Sequence, residues 1–442
     1  MSDTHSETVF YVADNMLPGQ AAPSETVGAW AWVRANLLSS VTNTILTAAA
    51  LLAVIGLIVG LGPWFWNAVW DAESLSECRE ILDGRTGACF ALLTERWHQF
   101  AFGFYPYGET WRLWLALALF FVACVPVLGD GWVRRFMLLS LLYPVVAFFL
   151  IWGGSIWPIV AFVVGPVLGY VAFRVAAPLT STAIGFLAGL VVTLLYWVDI
   201  PFTQVSGMGI VSGLLRDAFG FVGLRPIESA QVGGFFLGMI IGVSGIVLSF
   251  PIGILLALGR QSNLPIVKAL CVGFIEFIRG VPLITLLFVA SVLLQYFLPP
   301  GITFDVLLRV IILVTLFSAA YIAEVIRGGL ASIPRGQYEA AQSLGLPYWD
   351  SMRLIILPQA LKVAIPGIVG TFIGLFKDTT LVSFVGLFDV LGIRQPITSD
   401  QRWLGIIWEP LVFAAILFFI FCFAMSRYAM YMERKLDTGH RS

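Results

Sequence analysis

Charged residues stand within or at the edges of apolar stretches in the second half of the chain, where polar chemistry needs an explanation. They form three close pairs: Glu276 with Arg279, Glu324 with Arg327, and Lys377 with Asp378. A charge at membrane depth costs several kcal/mol and usually marks a functional position. Such groups could line a path for a polar solute, close a gate across it, or pair with each other to fix a helix.

The first two pairs share a spacing of three residues, which places both members on one helix face. Glu276 and Arg279 precede a Gly-Val-Pro sequence at 280–282, which should break the helix. A role at a gate and an ion pair that fixes this break both fit the pattern. For Glu324 and Arg327 the pattern favours a structural ion pair, local or between helices.

The third pair begins a polar stretch made up of Lys377, Asp378, Thr379 and Thr380. Apolar runs at 363–376 and 381–391 flank it, so we predict a discontinuous helix in the membrane region. Interrupted helices expose backbone groups and helix ends that can bind polar solutes. Asp378 could instead cap the following short helix and pair with Lys377. The sequence leaves both roles open.

A segment between two apolar runs combines small and polar residues in a pattern that predicts a short surface helix. Pro334 opens it, and Gly345 and Pro347 end it. The residues that define the pattern are Glu339, Ala340, Ala341, Leu344 and Gly345, and after nine further residues Ile355, Leu357 and Pro358. We expect the small apolar face of Ala340, Ala341 and Leu344 to enter a groove on a partner protein and to transmit rigid-body motion.

The elements that must position these residues are transmembrane helices. Of the 442 residues, 59% are hydrophobic and only 12% are charged, whereas soluble domains average about 25% charged residues. Apolar runs long enough to cross about 30 Å of hydrocarbon predict about ten spans: 42–62, 111–128, 134–152, 156–174, 180–198, 232–259, 281–298, 305–327, 360–376 and 408–430. The runs are apolar on every face, so we predict an all-α, polytopic transmembrane helical bundle and not a barrel. The net charge of −1 argues against nucleic-acid binding.

Basic residues in the short loops predict the orientation of the bundle. If the spans alternate, these residues fall on one side, which is the cytoplasmic side and carries both termini. The 63–110 loop then faces outwards. It contains Cys78 and Cys89, which would form a disulfide in an oxidising compartment. Two free loop thiols are the alternative.

The segment that begins at Glu339 resembles a known signature. Its pattern of Glu-Ala-Ala, three residues, Gly, nine residues, Ile, one residue and Leu-Pro is similar, without a gap, to the coupling loop of binding-protein-dependent ABC transporter permeases. The stretches 276–283, 323–329 and 377–381 resemble further motifs of the branch that takes up polar amino acids. The resemblance covers about 225–435, the five-span core of that family. The N-terminal half is similar to that of the larger permeases for general L-amino acids or for glutamate, glutamine, aspartate and asparagine.

The resemblance implies that the chain works as one subunit of a larger complex. A second permease, a cytoplasmic ATPase dimer that holds ATP and Mg, a periplasmic amino-acid-binding protein and membrane lipid are the implied partners. None of the four lysines follows a glycine, so the chain has no phosphate-binding loop of its own. We therefore expect a transport subunit without enzyme activity, bound cofactor, metal site or catalytic residue. An ion-coupled secondary transporter or channel is the alternative, but it leaves the coupling loop unexplained.

These observations predict how the chain is organised in the bacterial inner membrane. We expect a cytoplasmic tail at 1–41, a transmembrane extension at 42–198 with the outer loop 63–110, a periplasmic interfacial linker at 199–231, a permease core at 232–430 with the cytoplasmic coupling loop 333–358, and a cytoplasmic tail at 431–442. In the core, seven residues are candidates for the substrate path or its gate: Glu276, Arg279, Glu324, Lys377, Asp378, Thr379 and Thr380.

Overall fold

A computed structural model describes residues 28–129, 135–197, 207–293, 296 and 305–436. Parts of several predicted regions lie outside the described residues: most of the first tail, the start of the 199–231 linker, the end of the 281–298 span, and the last residues of the second tail.

Helices make up nearly all of the regular structure in the described residues. Those of the first half are α1 (Ala29–Asn36), α2 (Val41–Trp66), α3 (Leu75–Leu82), α4 (Ala91–Glu95), α5 (Trp97–Phe102), α6 (Thr110–Leu128), α7 (Met137–Trp152), α8 (Trp157–Leu179), α9 (Thr182–Trp197) and α10 (Gly207–Phe219). Two short strands, β1 (Gly154–Ser155) and β2 (Gly223–Leu224), pair antiparallel.

The second half continues the helical pattern. Its helices are α11 (Gly234–Arg260), α12 (Pro265–Gly280), α13 (Leu283–Phe288), α14 (Val306–Ala331), α15 (Arg335–Ser343), α16 (Tyr348–Ser351), α17 (Leu357–Asp378), α18 (Arg394–Thr398) and α19 (Trp408–Leu436). Short 3₁₀ segments occupy Tyr107–Glu109, Ser229–Gln231, Thr379–Val385 and Gln401–Trp403, and π-helical turns occupy Val289–Leu293 and Met352–Ile356.

The described helices confirm the prediction of an all-α bundle with about ten spans. Seven are long and apolar enough to cross a membrane, and α12 with the helical segment Leu283–Leu293 would make an eighth span, bent by 101°. The shorter apolar helices Met137–Trp152 and Ile184–Trp197 bring the number to ten. The bend lies at the predicted Gly-Val-Pro break, because α12 ends at Gly280 and Pro282 precedes α13.

The described chain divides into two compact units. The first comprises residues 28–72 and 76–91, and the second comprises 73–75 and the described residues from 92 onwards. In the first unit, Cys78 and Cys89 form a disulfide with their Cα atoms 6.0 Å apart. The backbone N–H of Ala88 donates to the carbonyl of Trp64 at 2.8 Å, which ties the loop to the end of α2.

The core of the second unit is built around α11 and α14, which pack along their length, with α17 against α14. Two buried apolar clusters fill it. One includes Leu237, Leu287 and Val314. The other includes Ile326 and Ile356, and lies towards the end of the core that carries α15. We call the α15 end the proximal end and the opposite end, where α11 begins, the distal end.

Candidate functional site

The predicted short surface helix is present as α15, and its end has a specific geometry. Gly345 has φ of +70°, a conformation that glycine adopts without steric penalty. Its N–H donates to the Gln342 carbonyl at 2.9 Å, and the N–H of Leu346 donates to the Ala341 carbonyl at 3.2 Å. These two bonds form a Schellman cap, so the helix stops at a defined residue.

The side chains of α15 do not all face the same way. Glu339, Ala340, Leu344 and Gly345 are exposed, with Leu344 73% exposed. Ala341 is fully buried within the chain. The predicted apolar face of three residues is therefore wrong in one member: Ala341 packs inwards, and only Ala340 and Leu344 are available to a partner.

The segment after α15 anchors it to the core. Ile356 is fully buried, and the half-buried Ile355 and Leu357 pack against the same proximal cluster. The Gln359 side-chain amide donates to Oε1 of Gln337 at 3.0 Å, which links the start of α17 to α15. Pro358 occupies the first turn of α17 and is exposed. These contacts hold α15 against the start of α17.

Three arginines contact Glu324 at the proximal end, and a second glutamate contacts one of these arginines. The Glu324 carboxylate contacts the guanidinium nitrogens of Arg327 at 2.6 Å, Arg260 at 3.1 Å and Arg279 at 3.6 Å. Arg260 also contacts Glu276 at 3.1 Å. One carboxylate on α14 thus connects α11, α12 and α14.

This network differs from the local pairing that the spacing suggested. Glu324 and Arg327 do pair along α14, as expected. Glu276 and Arg279 each pair with another helix and not with each other among the described residues. The bend at 280–282 turns the end of α12, and Arg279 instead meets α14, where its guanidinium also lies 5.6 Å from the centre of the Tyr321 ring.

A cavity of about 240 Å³ lies next to this network, between α14 and α17. Its polar lining comes from Ser318, Tyr321, Thr371 and Asp378. Ser318 is 1% exposed, and its hydroxyl has no hydrogen-bond partner among the described residues. The Thr371 hydroxyl donates to the Gly367 carbonyl at 2.9 Å. The cavity therefore offers one carboxylate and hydroxyl groups to a small polar solute.

The predicted interruption at 377–380 is a change of helix type. At Asp378 the α-helix ends and a 3₁₀ helix follows directly. Of the two roles left open for Asp378, the structure does not form the cap, because Asp378 has helical backbone angles and makes no side-chain cap bond. Its carboxylate lines the cavity instead. The hydroxyls of Thr379 and Thr380 donate to the carbonyls of Phe376 and Lys377 at 2.8 and 2.9 Å. Both therefore support the turn, and Lys377 is exposed.

Sequence reasoning missed the contributions of α14 to the cavity. Ser318 and Tyr321 precede Glu324 at intervals of three residues. That spacing places polar groups on one face of an otherwise apolar helix, and it is the signal that could have identified them. Sequence reasoning also did not single out Arg260, whose role in the network depends on a contact between helices.

Comparisons with known proteins identify the family of the chain. The family described as binding-protein-dependent transport system inner membrane component matches residues 249–438. The chain is similar to the glutamate/glutamine/aspartate/asparagine transport system permease protein BztC of Rhodobacter capsulatus, with 53% identity over all of both chains. It is also similar to the inner membrane amino-acid ABC transporter permease protein YhdY of Escherichia coli, with 38% identity over 96% of this chain and 97% of the relative. Among solved structures, a crystal structure of an amino acid ABC transporter with histidines aligns with a TM-score of 0.40 and 29% identity over 46% of this chain and 92% of that one.

Proposed function

Because the chain belongs to the family of binding-protein-dependent transport system inner membrane components, we propose that it moves polar amino acids across the inner membrane by alternating access. Glutamate, glutamine, aspartate and asparagine are the proposed substrates. The 53% identity over the full length of a permease named for these four supports this choice. Family membership also favours an ATP-driven importer over the ion-coupled alternative.

The coupling loop is the proposed contact with the motor. ATP and Mg would be held by a cytoplasmic ATPase dimer, so α15 would lie in the cytoplasm. With alternating spans, the basic short loops would put both termini on the same side. Ala340 and Leu344 offer a small exposed apolar surface, and the exposed aromatic pair Tyr348 and Trp349 lies just beyond it, with ring centres 5.4 Å apart. Aromatic side chains contribute much of the energy of protein interfaces. They would therefore add to the contact of α15 with the ATPase.

The proposed path for motion runs from this loop to the cavity. Force on α15 reaches α17 through Ile356 and the Gln359–Gln337 bond, and α17 carries Asp378 at its far end. The Glu324 network lies between the loop and the cavity. We propose that it forms the inner gate, whose ion pairs exchange partners when α12 and α14 shift.

The cavity is the single observation that carries the substrate proposal. An amino acid has an ammonium group, and the Asp378 carboxylate is the acidic group that lines the cavity. A charge-assisted hydrogen bond to the ammonium would be short and strong. The unpartnered Ser318 hydroxyl would then bond to the carboxylate or amide end of the solute.

Two further partners complete the proposed complex. A second permease subunit would complete the path, and a periplasmic binding protein would deliver substrate to the distal end of the core. The last turn of α19 contains Arg434 and Lys435. Basic residues at the end of a span favour the cytoplasmic side, so the opposite, distal end of the core would face the periplasm.

Replacement of Asp378 with asparagine in the assembled transporter tests the proposal. Uptake of labelled glutamate and glutamine should fall by about tenfold, the effect of losing one charge-assisted bond of roughly 1.4 kcal/mol, while the amount of complex in the membrane stays the same. Asp217→Asn makes the same substitution at an exposed aspartate of α10, outside the cavity, and is the control. Unchanged uptake in the Asp378 variant, or uptake by this chain alone driven by an ion gradient without ATP, contradicts the proposal.

A further inference from the structure

Three separate segments of the second unit meet at the distal end of the core through their backbones. The N–H of Gly233 donates to the Phe102 carbonyl at 3.2 Å, and the N–H of Gly234 donates to the Phe388 carbonyl at 2.7 Å. Strand-like bridges pair Gly103 with Val232 and Gly234 with Asp389. The end of α5, the start of α11 and the turn at 386–389 are thus hydrogen-bonded in series.

Glycine makes this close approach possible. Gly103 and Gly234 have φ of +68° and +62°, in the region that favours glycine. A Cβ atom at Gly233 would lie 2.7 Å from the Phe388 carbonyl oxygen. Backbone therefore packs directly on backbone, and a side chain would force the segments apart.

Side chains of α4 and its neighbours make a second set of contacts with the same end of the core. Arg96 donates to the Asp400 carboxylate at 2.5 Å. The indole N–H of Trp403 donates to Glu95 at 2.8 Å, and the Trp403 side chain is completely buried. Residues 92–105 are therefore fixed to the core at two independent places.

The start of α11, where these segments meet, packs against the end of α17, which carries Asp378 of the cavity lining. A Cβ atom at Gly238, one turn into α11, would lie 3.3 Å from the Thr379 hydroxyl, and one at Gly242 would lie 2.8 Å from the Phe376 ring. Phe376 and Thr379 flank Asp378 in sequence. The position of the first turns of α11 therefore affects the position of the Asp378 carboxylate, which is the proposed contact for the substrate ammonium group.

We infer that residues 92–105 form a distal strap that holds the start of α11 and the 386–389 turn as one rigid body behind Asp378. Glu95 and Arg96 are positioning residues of this strap. The family match begins at residue 249, so the strap is supplied by the N-terminal half, and it gives that half a role in transport. The inference rests on the proposed transport function, because its consequence is the coupling of ATP hydrolysis to uptake.

Charge reversal in the complete transporter tests the strap. Arg96→Asp and Asp400→Arg each place like charges together, and the double variant restores an opposite pair. Arg216→Asp is the matched control, because Arg216 is an exposed arginine of α10 outside the strap. Uptake and ATP hydrolysis are both measured per assembled complex, in proteoliposomes with the loaded binding protein outside.

Each single reversal should lower the ratio of uptake to ATP hydrolysed by about tenfold, the equivalent of one lost charge-assisted contact. The double variant also lacks the bond that the Arg402 N–H donates to Asp400 Oδ1 at 3.0 Å, so its ratio should recover above that of Asp400→Arg alone. The ratio of Arg216→Asp should equal that of the parent. A strap that acts only in folding would lower the amount of complex and leave the ratio unchanged, which overturns the inference. Failure of the double variant to recover also overturns it. If the parent itself shows no ATP-dependent uptake, the proposed function has failed and not the strap.

Discussion

The two ends of the core are held together by different kinds of contact. At the proximal end, ion pairs between long side chains join α11, α12 and α14, and the Glu324 side chain in their centre is 22% exposed. At the distal end, backbone hydrogen bonds join Gly233 to Phe102 and Gly234 to Phe388 with no side chain between the segments, and the side-chain contacts of Glu95 and Arg96 add to them.

This difference indicates which end moves. An arginine side chain is long and flexible, and Glu324 already contacts three arginines, so we expect its ion pairs to change partners when the helices shift. A backbone bond at a glycine has no such freedom, because the donor is part of the chain that would have to move. We therefore expect the proximal end to open and close during transport while the distal end keeps its structure.

The largest effect is expected from Gly345→Leu at the proximal end. A leucine at φ of +70° adds strain of roughly 1–2 kcal/mol, which should change the Schellman cap and the angle at which α15 is presented. Uptake should fall by at least about tenfold while ATP hydrolysis continues and membrane insertion stays normal.

Gly336→Leu is the matched control for this variant. Gly336 lies in the same helix with open space around it and an ordinary φ. Equal uptake in the two variants and the parent would remove the basis for a fixed geometry at the proximal end.

A smaller effect is expected from Glu324→Gln. Removing one partner of a fully buried ion pair costs roughly 3–5 kcal/mol, and the partial exposure of Glu324 reduces the expected loss to about 2 kcal/mol. The thermal unfolding temperature of the purified complex should fall, and ATP hydrolysis without binding protein should rise as the proposed gate loosens.

Glu276→Gln provides the comparison, because Glu276 is 56% exposed and makes one ion pair. It should change both measurements far less. Equal effects from the two variants would show that Glu324 is not the centre of the network.

The smallest effect concerns Asp389 at the distal junction, which lies outside the membrane-spanning helices. Burial raises the pKa of its carboxyl from 3.8 to about 6. The folded state then binds the proton more tightly than the unfolded state, so this contribution to stability is complete below about pH 4 and is lost as the pH rises through 6.

Asp389→Asn should therefore raise the unfolding temperature at pH 8 relative to the parent and leave it nearly unchanged at pH 4. Its Oδ1 can still accept the 2.8 Å bond from the Gly392 N–H. The difference between variant and parent removes the titration of other groups. A difference that does not depend on pH would show that the distal end is not sensitive to this carboxyl.

Much of the fold could be predicted from the sequence, because hydrocarbon imposes a length and an apolar composition on each span. The end of α15 at Gly345 was also predictable, since only the local sequence determines a helix cap. Contacts between distant segments were not. The pairing of Arg279 with Glu324 depends on the 101° bend after α12, and the contact of Arg96 with Asp400 joins residues that lie 304 positions apart. Ala341 shows the same limit, because sequence alone gave no indication of which small residue faces the core.

Site-directed cross-linking tests most directly whether the coupling loop contacts the ATPase. Leu344→Cys and Leu404→Cys place a thiol at leucines of similar exposure, 73% and 66%, at the proximal and distal ends of the core. In a background without the free cysteines 124, 271 and 422, each thiol is labelled with a photoactivatable maleimide in the intact transporter and irradiated. The cysteine at 344 should cross-link to the ATPase subunit and the cysteine at 404 should not. A cross-link to the ATPase from position 404 and none from position 344 would contradict the account.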